Sequence, residues 1–395
     1  MSVWSSVGVT LAIQMLVSMV VFTPPVIAPA AQTQIGVPAS AVGVATALIY
    51  LTATLGALVS GRTIARHGPL RVSQLSLVLC GIGITVIATA HVLAVALGAL
   101  IIGLGYGWVT PSSSAILADR APRNLRAFIF SLKQTGVPVG GALAGALIPA
   151  LVLTVGWQAA TIAAGAVCLV LALALQPLRR SVDSGSRSAD NTTSRGLLEP
   201  VRLVLLHRGL REMAFASFTY SGMQMCLGTF LVVFLHDRIG FGLSSAGAAL
   251  SAAMAAGIAG RLAWGVAADR LGKPRLLLAV IGVTMSLAAF ATAAITSAWP
   301  VFAVFVVSAI YGATAVGWNG VYLSEVARVA PAGRAAAATG ASLAMTYAGV
   351  MVLPALFWAI VELSGSYAAA FAVTGCLTLW RSSLLFRGTS ALHAA

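Results

Sequence analysis

Long apolar runs separated by short polar breaks set the pattern of this chain. Crossing a bilayer takes about 20 consecutive apolar residues. Twelve runs of roughly that length are present, over 7–30, 38–61, 72–90, 93–117, 126–151, 157–177, 212–235, 244–267, 275–296, 299–323, 334–360 and 366–386. The pattern predicts an all-α membrane protein with twelve transmembrane helices. Residues 1–6 hold no Lys or Arg, and the first run is too long for a signal-peptide core and lacks its basic flank. It is expected to remain as the first span.

One long polar stretch interrupts the runs, Leu178 to Arg211, with SVDSGSRSADNTTSRG at its centre. Its Ser, Gly and mixed charge describe a flexible linker, with an amphipathic helical end expected near Glu199 to Arg211. The expected domains are a six-helix bundle over 1–177, a linker over 178–211, and a second six-helix bundle with a short tail over 212–395.

The halves repeat. A shift of 204 positions places Ile35-Gly36, Ser40, Gly43, Gly61, Arg66, Gly68 and Arg71 on Ile239-Gly240, Ser244, Gly247, Gly265, Arg270, Gly272 and Arg275. An even number of spans separates the copies, so they share one orientation and are expected to be pseudo-symmetric about an axis along the membrane normal. That architecture suits alternating access, with a site between the halves near the bilayer middle.

Charge sets the orientation. The even-numbered loops and the tail hold Arg62, Arg66, Arg71, Arg120, Arg123, Arg126, the linker arginines, Arg270, Lys273, Arg275, Arg328, Arg334 and Arg387, whereas the odd loops hold only Arg238. Both termini and the linker are therefore expected on the cytoplasmic side of a plasma (inner) membrane. On that side the acceptor-like Asn191-Thr192-Thr193 is accidental.

Composition agrees: the chain has 395 residues, 59% hydrophobic and 8% charged, with a mean hydropathy of +0.98. Soluble domains are about one quarter charged, so a soluble reading is excluded. The net charge of +14 comes from short basic clusters and forms no continuous face, so no nucleic-acid partner is expected. Cys80, Cys168, Cys226 and Cys376 lie inside apolar runs without a CxxC pair and read as packing residues. No phosphate loop, metal-ligand spacing or nucleophile triad occurs, so neither a cofactor nor an enzymatic activity is expected.

The stretch GVAADRLGKPR, Gly265 to Arg275, resembles the motif between spans eight and nine of the major facilitator superfamily, and Gly61 to Arg71 resembles its counterpart between spans two and three. With the span count, the central linker and the repeat, the resemblance covers essentially the whole chain. It implies that Gly61, Arg66, Gly68 and Asp119 in the first half, and Gly265, Asp269, Arg270, Gly272 and Glu325 in the second, belong to conformational latches. Two departures stand out. Ala65 occupies the acidic position of the first copy, leaving that latch weakened or carried by Asp119. Ala99 to Ile102 replace the fourth-span Arg that precedes the Gly-x-Gly, which disfavours a proton-driven drug or metabolite exporter. In span five, Gly136, Gly140, Gly141 and Gly145 are spaced for close helix contact, and Pro138 and Pro149 permit bending.

Two cations fall within apolar runs. Arg261 in span eight costs about 2.5–3.5 kcal/mol on insertion scales unless it meets water, a partner or a ligand. The spacing from Arg261 to Asp269 is similar to the eighth span of the monocarboxylate and oxalate porter branches, and implies that Arg261 holds a substrate carboxylate. A guanidinium suits that role through two parallel hydrogen bonds; pairing with a neighbouring helix or the loop acid is the other reading. Lys133, about 10 Å into span five by helix rise, either snorkels to the surface or faces a cavity. The family's arrangement implies that Lys133 and Arg261 face one cavity. The acids Asp119, Asp269 and Glu325 fall at helix ends, none at mid-membrane, which favours anionic cargo. Gln14, Tyr106, Tyr220, Gln224, Trp318, Asn319 and Tyr322, in spans one, four, seven and ten, complete the expected substrate site, each with interhelical packing as its alternative.

The expectation is a monomeric secondary transporter in the lipid bilayer. It moves a small organic anion, a monocarboxylate, by rocking of two halves, with protons as a candidate coupling ion. The rivals are the exporter and a non-transporting membrane sensor.

Overall fold

The computed structural model describes residues 2–36, 42–183 and 199–390. Ser40, Asn191 and the Ser-rich centre of the linker lie outside the described residues. Those described form sixteen α-helices: α1 (Val3–Ile35), α2 (Val42–His67), α3 (Pro69–Ile87), α4 (Val92–Ala118), α5 (Arg126–Gln134), α6 (Gly136–Val155), α7 (Trp157–Ala174), α8 (Arg179–Asp183), α9 (Glu199–Leu206), α10 (Arg208–Asp237), α11 (Leu243–Leu271), α12 (Pro274–Ala293), α13 (Val301–Ala315), α14 (Asn319–Val329), α15 (Ala335–Ser364) and α16 (Tyr367–Ser390).

Among the described residues, twelve stretches are long and apolar enough to cross a membrane, as the hydropathic pattern predicts. Their ends shift by a few residues for local reasons. α2 runs on to His67 and stops where Gly68 turns to φ 87°, with Pro69 at the first position of α3. α11 likewise ends on Gly272 in the left-handed region, and Pro274 opens α12. The linker's helical end is α9, which stops before His207, and the seventh span starts at Arg208.

Spans five and ten are each interrupted. α5 gives way to α6 at Thr135, and α13 to α14 over Val316–Trp318. Such breaks expose backbone carbonyls inside an apolar layer, where side chains have to satisfy them.

The chain folds into two compact units. The first takes residues 1–121, 133–207 and 326–344, and the second takes 122–132, 208–325 and 345–395. In the first, Gly103 and Gly107 of α4 lie against the backbone oxygens of Ile49 and Ala53 on α2, with no room for a side chain. In the second, Gly312 of α13 and Gly260 of α11 make the matching contact, against Ala253 O and Ala313 O. The repeat is thus visible in packing as well as in sequence. Gly136, Gly140 and Gly141 press against α1 as their spacing suggests, but Gly145 has open space beside it, so its expected helix contact is corrected. Cys80, Cys168 and Cys226 are buried, whereas Cys376 is exposed and not a packing residue.

Candidate functional site

In the first unit a polar cluster forms where α1, α4 and α5 meet. Lys133 is 1% exposed; its ammonium donates to Gln14 Oε1 at 2.7 Å and to Gln134 Oε1 at 2.9 Å. Thr110 Oγ1 donates to the same Gln14 oxygen at 3.4 Å, and Gln14 Nε2 donates to Ser18 Oγ at 3.3 Å. Gly136 lets this happen, since a methyl there would fall 2.9 Å from Gln14 Cβ. Lys133 is therefore held among carboxamides inside the bundle rather than reaching for its surface. Tyr106, half-buried, stands edge-on to Tyr50 with ring centroids 6.2 Å apart.

In the second unit the break in span ten organises the site. Arg261, 2% exposed, donates from Nε to Val316 O at 2.8 Å. Trp264, one turn along α11, donates from Nε1 to Ala313 O at 2.8 Å. Both thus satisfy carbonyls around the end of α13. Gly317 is required there, because a side chain would strike Ala313 O and the Trp264 ring.

The break delivers Trp318 into the interior. Its ring is edge-on to Tyr220 at 5.6 Å and to Tyr322 at 5.1 Å. Trp318 is fully buried, and its Nε1 has no hydrogen-bond partner among the described residues. A buried donor left so costs roughly 1–3 kcal/mol, the signature of a group awaiting a ligand. Asn319 Nδ2 donates to Gln224 Oε1 at 3.3 Å, both residues half-buried. The Tyr220 hydroxyl is already engaged, donating to Leu278 O at 2.8 Å and lying 2.9 Å from Ser382 Oγ, so only its ring meets Trp318. Lys133 belongs to the first unit and Arg261 to the second.

The residues expected to form latches separate by environment. Asp269 places its carboxylate at the N-terminus of α5, accepting from Ala127 N at 3.0 Å and Phe128 N at 2.8 Å; a helix N-terminus favours an anion there. Gly265, one turn before, allows the approach, since a methyl would fall 2.7 Å from Ser131 Oγ. In the first unit Gly61 packs on Ala337 of α15, yet Ala65 brings no carboxylate. Asp119 lies exposed at the end of α4, its carboxylate without a hydrogen bond or ion pair among the described residues. Arg66 and Arg270 are exposed; Gly68 and Gly272 are the helix-ending glycines. Glu325 sits near the end of α14 as expected, but it is 1% exposed.

Four partners were not singled out from the sequence, and for three of them it holds no signal. Asp183, which falls within the polar stretch read as the linker, accepts from Leu70 N at 2.9 Å and Arg71 N at 3.2 Å, and so caps α3 beneath Gly68. Glu199 of α9 pairs with Arg334. Ser131 fills the space left by Gly265 and Gly320. Trp264 had a usable signal, its position three residues after Arg261 on one helix face.

The family model described as Major Facilitator Superfamily matches residues 10–354. A gentisate transporter of Corynebacterium glutamicum is 24% identical over 315 residues, 75% of this chain. The match spans 64% of that relative's length. Among solved structures, the Escherichia coli fucose:proton symporter superposes with a TM-score of 0.75 at 14% identity, covering 98% of this chain and 99% of that one. A human organic anion transporter (TETRAN) gives 0.73 at 18%, covering 96% and 98%. A bacterial homologue of the iron transporter ferroportin, in an outward-facing state, gives 0.75 at 15%, covering 98% and 99%.

Proposed function

Since the chain belongs to the major facilitator superfamily and is a multi-pass membrane transporter, we propose that its cargo is a small organic anion, a monocarboxylate with an unsaturated or aromatic skeleton. The observation that carries this reading is Arg261, a guanidinium 2% exposed within a candidate span. Burying such a charge in an apolar layer is costly, and a bound carboxylate offsets the cost through charge-assisted hydrogen bonds. Around the same break, Trp318 offers an unused donor, and the Trp318 and Tyr322 rings offer a flat apolar wall. Gln224 and Asn319 add polar groups that orient a ligand. In the first unit, Lys133 with Gln14 and Tyr106 supplies the second positive charge of the substrate pathway. Similarity to a gentisate transporter supports anionic cargo, gentisate itself being an aromatic monocarboxylate. We further propose a cytoplasmic location for both termini, and transport by rocking of the two halves, with Asp269 and Glu325 in the latches.

The test is a thermal-shift screen of the purified protein against aromatic and aliphatic carboxylates, inorganic anions, neutral sugars and organic cations. A ligand that binds only the folded state raises its apparent stability. Aromatic carboxylates should stabilise wild type and leave Arg261→Ala unshifted, with labelled carboxylate uptake into proteoliposomes lost in the same variant. Stabilisation by sugars or cations alone would overturn the anion reading.

A further inference from the structure

The two halves repeat, but the acid of the loop motif occurs in only one of them. Gly61 and Gly265 correspond, and each lies against the start of a helix: Gly265 against Phe128 and Ser131 of α5, Gly61 against Ala337 of α15. One turn beyond Gly265, on the same helix face, Asp269 accepts from the leading N–H groups of α5. One turn beyond Gly61 stands Ala65, whose methyl group can accept nothing from α15.

The start of α15 has a use for an anion. Its first turn, from Ala335 to Ala338, holds no acid. Arg334 immediately precedes it, its carbonyl accepting from Ala338 N at 2.9 Å. The N–H groups ahead of Ala338 have no acceptor within the helix. The positive end of a helix favours an anion and opposes a cation, so Arg334 adds to the demand.

That anion comes from the linker. Glu199, the first residue of α9, pairs with Arg334 through Oε1. Its Oε2 is enclosed and accepts no hydrogen bond among the described residues, which leaves the carboxylate acceptor capacity for an N–H. α9 packs against α2 with Pro200 and Val204 buried, so Glu199 is carried beside the helix whose Ala65 lacks a carboxylate. All these residues belong to the first unit. An acid at the other end of the linker already serves a helix in this way, Asp183 accepting from Leu70 N and Arg71 N at the start of α3. Asp119, the acid expected to stand in for Ala65, is exposed and makes no hydrogen bond or ion pair among the described residues.

We propose that Glu199 is the positioning residue of the first-half latch: from the linker it holds the start of α15, as Asp269 holds the start of α5. The linker then takes part in the conformational cycle, its attachment to Arg334 forming and breaking as the halves rock. The assignment rests on the rocking transport proposed above and is independent of the cargo's identity.

The test uses the full chain in lipid nanodiscs for hydrogen exchange and in proteoliposomes for uptake of a labelled aromatic carboxylate. Glu199 is half-buried and Ala65 exposed, so polar substitutions at either position leave the packing intact. Glu199→Gln should speed exchange in the first turn of α15 about threefold, the size of one charge at a helix end. It should lower kcat by a similar factor and leave KM unchanged. Adding Ala65→Asp to Glu199→Gln should return both exchange and kcat to wild-type values. A pair that only glued α9 in place would gain nothing from an acid on α2. Exchange or kcat unaltered in Glu199→Gln, or a loss that Ala65→Asp does not restore, would overturn the assignment. Absence of carboxylate uptake by wild type would instead sink the cargo reading, and the exchange measurements would then decide the role of Glu199 by themselves.

Discussion

Arg261 shows how one residue carries two duties. Its Nε satisfies Val316 O at the break of span ten, so the side chain is a structural clamp as well as the proposed carboxylate ligand. Trp318 separates the two duties, because its ring packs between Tyr220 and Tyr322 while its Nε1 bonds to nothing described. Trp318→Phe keeps most of the ring and removes only the donor. A hydrogen bond to a charged group contributes roughly 1.5–3 kcal/mol, so the variant's KM for a carboxylate should rise about tenfold in uptake assays while its melting temperature stays unchanged. An unaltered KM would exclude the indole donor from the substrate site. At this scale the sequence disclosed Arg261 and Lys133, since a lone cation in an apolar run is conspicuous. It could not disclose which aromatic donors are engaged, because Trp264 and Trp318 look alike in sequence, and one is bonded while the other is not.

Among elements, the short helix α5 and the end of α11 act as one device. The Asp269 carboxylate takes two of α5's leading N–H groups, which have no intrahelical acceptor. Losing such a cap costs about 0.5–2 kcal/mol. Asp269→Ala should therefore lower the stability of this arrangement by about 1 kcal/mol, seen as reduced hydrogen-exchange protection confined to the first turn of α5, together with slower transport. Protection unchanged there would show that the cap contributes nothing. An acid at position 269 that meets a neighbouring helix N-terminus was legible from the loop motif and the demand of such an end for negative charge. Its acceptor role toward Ala127 and Phe128 was not, since more than 140 residues separate them. The first copy has Ala65 instead, and Asp183 and Glu199 bring acids to nearby helix ends from either side of the linker.

For the molecule as a whole, the twelve apolar stretches and the placement of basic residues argue a definite orientation. Of the four cysteines, Cys376 alone is exposed, so a Cys376→Ala background leaves only buried thiols. In that background Ser2→Cys should resist a membrane-impermeant maleimide applied to intact cells, and Asp237→Cys in an odd-numbered loop should react. The reverse pattern would invert the assigned topology. The same scale explains the compact units, each of which takes most of one half of the sequence and a short segment of the other, 326–344 in the first unit and 122–132 in the second. No hydropathic reading marks such an exchange, because it depends on which glycines meet which helices, as Gly61 meets Ala337 and Gly265 meets Ser131.

By itself the sequence determined the number of spans, the repeat and the presence of Lys133 and Arg261 inside apolar runs, because each follows from the energy of placing a local stretch in water or hydrocarbon. Tertiary structure alone decided that span ten breaks at Val316 to receive Arg261, that Asp183 caps α3, that Glu325 is enclosed, and that Arg208, Arg275 and Arg381 gather around Glu212. These are pairings between residues distant in the chain. Such partners are fixed only when helices pack closely enough for every buried polar group to require one.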